Sequence, residues 1–104
     1  MVGTSGPLRS ANLPDVPTME EAGYKGFVVE PWFGYMVPKA TPPAVIAKLN
    51  AALNAAVQMP RVKSRLEAAG VRIVGGSADK LSELIKTETE RWGQVIRTNK
   101  IQAN

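Results

Sequence analysis

Proline placement sets what the first third of this chain can become. Pro7, Pro14 and Pro17 each remove a backbone donor and push the preceding residue toward extended geometry. Residues 1–17 are therefore expected to hold little regular structure. Thr18 then stands as an N-cap, with Glu20 and Glu21 in a first turn where the helix dipole favours anions. Gly23 is placed to end that helix in a left-handed conformation, so the helix is about one turn long. From Phe27 to Val37 the run of Phe, Val, Trp, Tyr and Met around Pro31 and Gly34 reads as a strand, with Pro31 at an edge or bulge.

Thr41 followed by Pro42 and Pro43 starts a helix, because proline fits the first turn, where its missing N–H has no partner to lose. Val45, Ile46, Leu49, Ala52, Leu53, Ala56 and Val57 recur at helical spacing. Met59-Pro60 interrupts that helix, and Val62, Leu66 and Ala69 continue a second one as far as Gly70. Val71–Val74 reads as a short strand, Gly75-Gly76 as a turn, and Ser77 as the cap of a last helix. The expected buried face of that helix is Leu81, Leu84, Ile85, Trp92, Val95 and Ile96, with Glu88 alongside and Ile101 folding back. The predicted class is α/β: Phe27–Val37 and Val71–Val74 in one small sheet, covered by the helices that begin near Ala44 and Ala78.

Chemistry is narrowed by what is missing. The 104 residues contain no Cys and no His. Disulfides, thiolate nucleophiles, the usual general base near neutral pH and the commonest metal ligand all go with them. Neither an enzyme, nor a metal site, nor a cofactor is expected. Glu20 and Glu21 are adjacent on a helix and point in different directions, so they do not form a catalytic carboxylate pair. The net charge of +4 arises from 13 Lys+Arg against 9 Asp+Glu, spread from Arg9 to Lys100 with one short cluster at Arg61-Val62-Lys63-Ser64-Arg65. Nucleic acid is not an expected partner. No apolar run is long enough to span a membrane, and MVGTSGPLRS lacks the charged and apolar regions of a signal peptide.

Three blocks in order carry a family resemblance. In VGTSGPLRSANLPDVPTMEEAGY a small-hydroxyl turn and an Arg precede Pro-Asp-Val-Pro-Thr and a Glu-Ala-Gly helix end. PWFGYMVPKATPPAVIAKLNAAL joins an aromatic strand to a Pro-x-x-Thr-Pro turn and a Leu-Asn helix. EAAGVRIVGGSADKLSELIKTETERWGQVI ends on a helix with Glu88 four residues before Trp92. Together these span essentially the whole chain and resemble the Bug family, the extracytoplasmic solute-binding components of tripartite tricarboxylate transporters.

The resemblance implies a partial lobe of the periplasmic-binding-protein type II kind, a single unit equivalent to the C-terminal third of a two-lobed receptor. Residues 1–26 would be a remnant of the second lobe, 27–40 the crossover strand and 41–104 a remnant of the first lobe. It further implies a periplasmic location, a membrane permease as partner, and a small tricarboxylate, dicarboxylate or amino-acid ligand. Strand-to-helix loops would hold that ligand, because their N–H groups and hydroxyls suit anions. Thr4, Ser5 and Arg9 are the candidate ligand-binding residues. A turn-satisfying role for the hydroxyls and a structural bond from Arg9 to Asp15 or to loop carbonyls compete with it. With one side of such a cleft, the chain is not expected to bind ligand tightly alone. The alternative is a free-standing module that self-associates, as a homodimer with Trp32 or Phe33 at its interface.

Overall fold

The computed structural model describes residues 3–102. Three helices form where helical patterning is strongest: α1, Pro43–Gln58; α2, Pro60–Ala68; and α3, Ala78–Thr98. The chain resolves into two compact units, 1–36 with 55–74 and 37–54 with 75–104. Each helix begins and ends by local chemistry. Pro43 opens α1, and Pro60 sits in the first turn of α2 after the extended Met59. Ser77 caps α3, its hydroxyl accepting from the Lys80 N–H at 3.2 Å.

The C-terminal ends of α2 and α3 close in the same way. Gly70 N–H reaches Glu67 O and Val71 N–H reaches Leu66 O, both at 2.9 Å, the paired bonds of a Schellman motif. In α3 the pair is Lys100 N–H to Arg97 O and Ile101 N–H to Ile96 O, with Lys100 at φ 51 where glycine is usual. The Ile101 backbone thus returns to the last turn, but its side chain, expected as a final apolar contact, stays exposed.

The expected sheet does not form. Among the described residues there is no strand, and one isolated parallel bridge joins Thr4 to Thr18. Phe27–Val37 and Val71–Val74 are non-helical segments without a ladder. The physical reason lies in where the bonds must come from. A helix satisfies its N–H and C=O groups within its own segment, whereas a strand needs a second segment to accept them. This sequence supplies the β-type composition without a neighbour in register.

The same deficit shows in the packing. Among the described residues no hydrophobic side chain is fully buried, and only the polar Thr18 is, at 5% exposure. On α1 the apolar stripe divides. Ile46, Leu53, Ala56 and Val57 are half-buried together with Asn50 and Asn54, while Val45, Leu49 and Ala52 stay exposed. On α3 the half-buried line is Leu81, Ile85, Glu88 and Trp92, spaced at helical intervals. Leu84, Val95 and Ile96, expected to be buried, are exposed. Glu88 bonds within its own helix, accepting from the Trp92 indole N–H at 2.7 Å rather than reaching another segment.

One long-range fixture organises the start of α3. Asn50 and Asn54 lie one helical turn apart on α1, and both amide groups donate to Gly76 O, at 2.9 and 2.8 Å. Asn54 Oδ1 accepts from Gly76 N–H at 2.8 Å. The approach is close enough that a Cβ on Gly75 would lie 2.8 Å from Asn54 Oδ1, inside contact distance.

Candidate functional site

The candidate residues sit on a loop whose backbone is fixed from two sides. Thr4 N–H donates to Pro17 O at 2.9 Å, and Thr4 O accepts from Met19 N–H at 2.8 Å, which makes the bridge to Thr18. One residue further, Ser5 O accepts from Val29 N–H at 2.8 Å. Gly3 lets the two segments approach: a Cβ there would meet both Pro17 O and Met19 Sδ at 3.1 Å. Gly3 to Gly6 are all half-buried. Within this frame the Thr4 hydroxyl oxygen is buried with no hydrogen-bond partner. An unpaired buried hydroxyl costs about 1–3 kcal/mol, so it is a standing demand for a donor or acceptor.

Opposite Thr4 lies a turn closed at both ends. The Thr18 hydroxyl accepts from Glu21 N–H at 3.2 Å, and the Glu21 carboxylate accepts from Thr18 N–H at 2.8 Å. This reciprocal pair is a capping box. At the other end Gly23 N–H reaches Glu20 O and Tyr24 N–H reaches Met19 O, each at 3.0 Å, with Gly23 at φ +100. A single turn is all that fits between the two caps. The short helix expected after Thr18 is present only as that turn.

Arg9 completes the arrangement. Its Nε donates to both Glu21 carboxylate oxygens, at 2.9 and 3.2 Å, and its Nη1 donates to Pro14 O at 3.1 Å. The loop-carbonyl bond was expected; the acidic partner is Glu21 rather than Asp15. The Ser10 hydroxyl, accepting from Asn12 N–H at 3.3 Å, helps shape the intervening loop. Hydrogen bonding from Arg9, then from the Thr18 N–H, holds the Glu21 carboxyl below its ordinary range. In the same unit Arg72 grips Glu30 with two nitrogens, Nε at 2.9 Å and Nη2 on the second oxygen. That pairing lowers the Glu30 carboxyl and raises the Arg72 guanidinium from their ordinary values.

The chemistry available is hydrogen bonding and charge pairing. Among the described residues no group of three or more acidic, His or Cys side chains could hold a metal, and no helix is long and apolar enough to cross a membrane. Five residues that make tertiary hydrogen bonds within one unit or the other lay outside the sequence-based candidates. Glu21 was legible through Thr-x-x-Glu spacing, and Asn50 with Asn54 through two polar residues four apart on the α1 stripe. Glu30 and Arg72 are 42 residues apart, and no local pattern joins them.

Comparison with known proteins places this geometry. A relative encoded in the tcbD-tcbE intergenic region of Pseudomonas sp. (strain P51) is 40% identical over 99% of this chain and 31% of its own. Protein BugT of Bordetella pertussis is 42% identical over 86% of this chain and 27% of its own. The solved structure of the periplasmic binding protein BugD superposes with a TM-score of 0.80 at 31% identity, covering 98% of this chain and 35% of that one. The chain thus spans about a third of the length of these relatives. The model of the tripartite tricarboxylate transporter family receptor matches residues 1–101, and the chain belongs to that family, whose members are solute-binding receptors and not enzymes.

Proposed function

We propose that this chain is receptor sequence for a periplasmic carboxylate-binding protein, contributing one side of the ligand cleft. The observation that carries the reading is the Thr4 hydroxyl: buried, unpaired, and held on a loop tied to Pro17, Met19 and Val29. A carboxylate oxygen placed there would restore the missing hydrogen bond, with the neighbouring Ser5 hydroxyl as a second donor. Arg9 would meet the same carboxylate through Nη2, its Nε and Nη1 being engaged by Glu21 and Pro14. Tricarboxylates, dicarboxylates and amino acids share the group that this site would bind. In this reading residues 1–26 come from one lobe, 27–40 cross between lobes and 41–104 belong to the other, and a membrane permease takes the ligand from the intact receptor.

One side of a cleft does not make a tight site. Each charge-assisted hydrogen bond contributes roughly 1.5–3 kcal/mol, and losing the opposing lobe removes several of them. Calorimetric titration with citrate, succinate and glutamate is expected to give no measurable affinity, or millimolar binding, for this chain. Micromolar binding to a monomer would overturn the one-sided reading. Grafting residues 1–104 in place of the matching third of BugT should give a receptor whose carboxylate affinity falls at least tenfold on Thr4→Val. Unchanged affinity would remove Thr4 from the site.

A further inference from the structure

We propose that Glu30 and Arg72 are positioning residues for the carboxylate site, their ion pair holding the Val29 N–H against the Ser5 carbonyl and so fixing the loop that carries the Thr4 and Ser5 hydroxyls. The role rests on the proposed carboxylate site and extends it to two residues that touch no ligand atom.

Three backbone bonds fix that loop. Two of them hold Thr4, through Pro17 O and Met19 N–H, and both come from the segment around Thr18. The third is the Val29 N–H on Ser5 O at 2.8 Å, and it comes from the segment after Gly26. Among the described residues, no other backbone bond reaches Ser5, so its place depends on where Val29 is held. Val28, Val29 and Glu30 are half-buried, whereas residues 31–40 are exposed throughout. Among the described residues, the backbone from Pro31 to Val37 makes no hydrogen bond. Glu30 is thus the last anchored residue before that stretch, and slack in the stretch reaches Val29 unless Glu30 stops it.

Arg72 supplies the stop. Its Nε donates to one Glu30 carboxylate oxygen at 2.9 Å and its Nη2 to the other, so the carboxylate is gripped at two points. The backbone just before Arg72 is fixed as well, since the Gly70 and Val71 N–H groups close the end of α2. Val71 and Ile73, on either side of Arg72, are half-buried. An ordinary exposed ion pair holds little, because two long side chains must be ordered to make it. Here the guanidinium fork orders both with two bonds, and the neighbouring residues are already seated. The path runs from the end of α2 through Arg72, Glu30 and Val29 to Ser5, within one of the two units. A hydroxyl serves a carboxylate oxygen only over about 2.5–3.0 Å, so sub-ångström slack at Ser5 is enough to weaken the site.

Glu30→Gln and Arg72→Gln test the path in the chain itself. Each is expected to speed exchange of the Val29 amide about tenfold or more, while Gly23 and Tyr24, closed by their own turn, keep their rates. The charge-swapped pair, Glu30→Arg with Arg72→Glu, should restore the slow rate. An unchanged Val29 rate in either single variant, an equal loss at Gly23 and Tyr24, or no recovery in the swap would each overturn the proposal. In the BugT graft, Glu30→Gln should weaken binding of citrate, succinate or glutamate by about three- to tenfold, less than Thr4→Val does. A graft that answers to Thr4→Val and not to Glu30→Gln overturns the positioning role and leaves the site standing. One that binds none of the three acids, or is indifferent to Thr4→Val, removes the site and the role with it.

Discussion

Two neighbouring stretches of one unit, Thr18–Tyr24 and Pro31–Met36, begin with equally strong local signals and end in opposite conditions. The first is closed by six residues' worth of its own groups: Thr18 and Glu21 cap each other at the start, and Gly23 and Tyr24 return to Glu20 and Met19 at the end. The second has the composition of a buried strand and no hydrogen bond along its backbone among the described residues. Both obey their propensities. The difference is the distance over which the bonds must close, since a turn answers itself and a strand must be answered from elsewhere.

Amide exchange tests this contrast at its largest. Amides of Trp32, Phe33, Gly34, Tyr35 and Met36 should exchange at near-random-coil rates, while those of Ala22, Gly23 and Tyr24 exchange more slowly. Protection of Trp32–Met36 as strong as that of Ala22–Tyr24 would show that the chain covers its own edge, and the contrast would fail.

Substitutions give a smaller effect of opposite direction in the two stretches. Gly23→Val forces a branched side chain into a positive-φ position and should destabilise the turn by about 1–2 kcal/mol or more. Thr18→Ala removes the hydroxyl acceptor of the capping box, at about 0.5–2 kcal/mol. Gly34→Val should stay within about 0.5 kcal/mol, since Gly34 is not among the positive-φ glycines that valine would strain. Urea denaturation followed by circular dichroism checks the three together. A cost for Gly34→Val as large as that for Gly23→Val would mean the extended stretch is already packed.

The smallest expected effect is acidification. Glu21 and Glu30 both titrate below their ordinary value because Arg9 and Arg72 bond to the ionised form. Their contribution is complete above the unfolded carboxylate pKa of about 4.3, and it is lost as pH falls through the lower folded values. Both pairs are substantially exposed, so the slope should be shallow and weaken further in salt. Stability that rises on acidification below pH 4 would contradict both pairs.

What could be read from the residues follows the same line as the physical contrast. All three helices were legible, including the break at Met59-Pro60 and the stop at Gly70, because their signals are contiguous. So was the left-handed end at Gly23. The sheet was not, because Val71–Val74 and Phe27–Val37 carry strand composition but composition does not say whether a neighbour is available. In the site, Thr4 and Ser5 were named through the small-hydroxyl turn that carries the family resemblance, and the structure adds that the Thr4 hydroxyl has no partner. Arg9 was placed near its loop carbonyl, but Glu21 was missed as its acidic partner although the Thr-x-x-Glu spacing was there to read. Glu30 and Arg72 offered nothing local, since only the folded path brings them together.

The Asn50–Asn54 grip on Gly76 has a consequence for how this chain holds its shape under different redox conditions. Its hydrogen bonds close a loop of 22 residues between Asn54 and Gly76, a task that small secreted domains often give to a disulfide. Amide groups have no redox state. The closure therefore does not wait for an oxidant and is not undone by a reductant. The cost falls on sequence freedom instead: a side chain at Gly75 collides with Asn54 Oδ1, so Gly75→Ala should be tolerated better together with Asn54→Gly than in the native background.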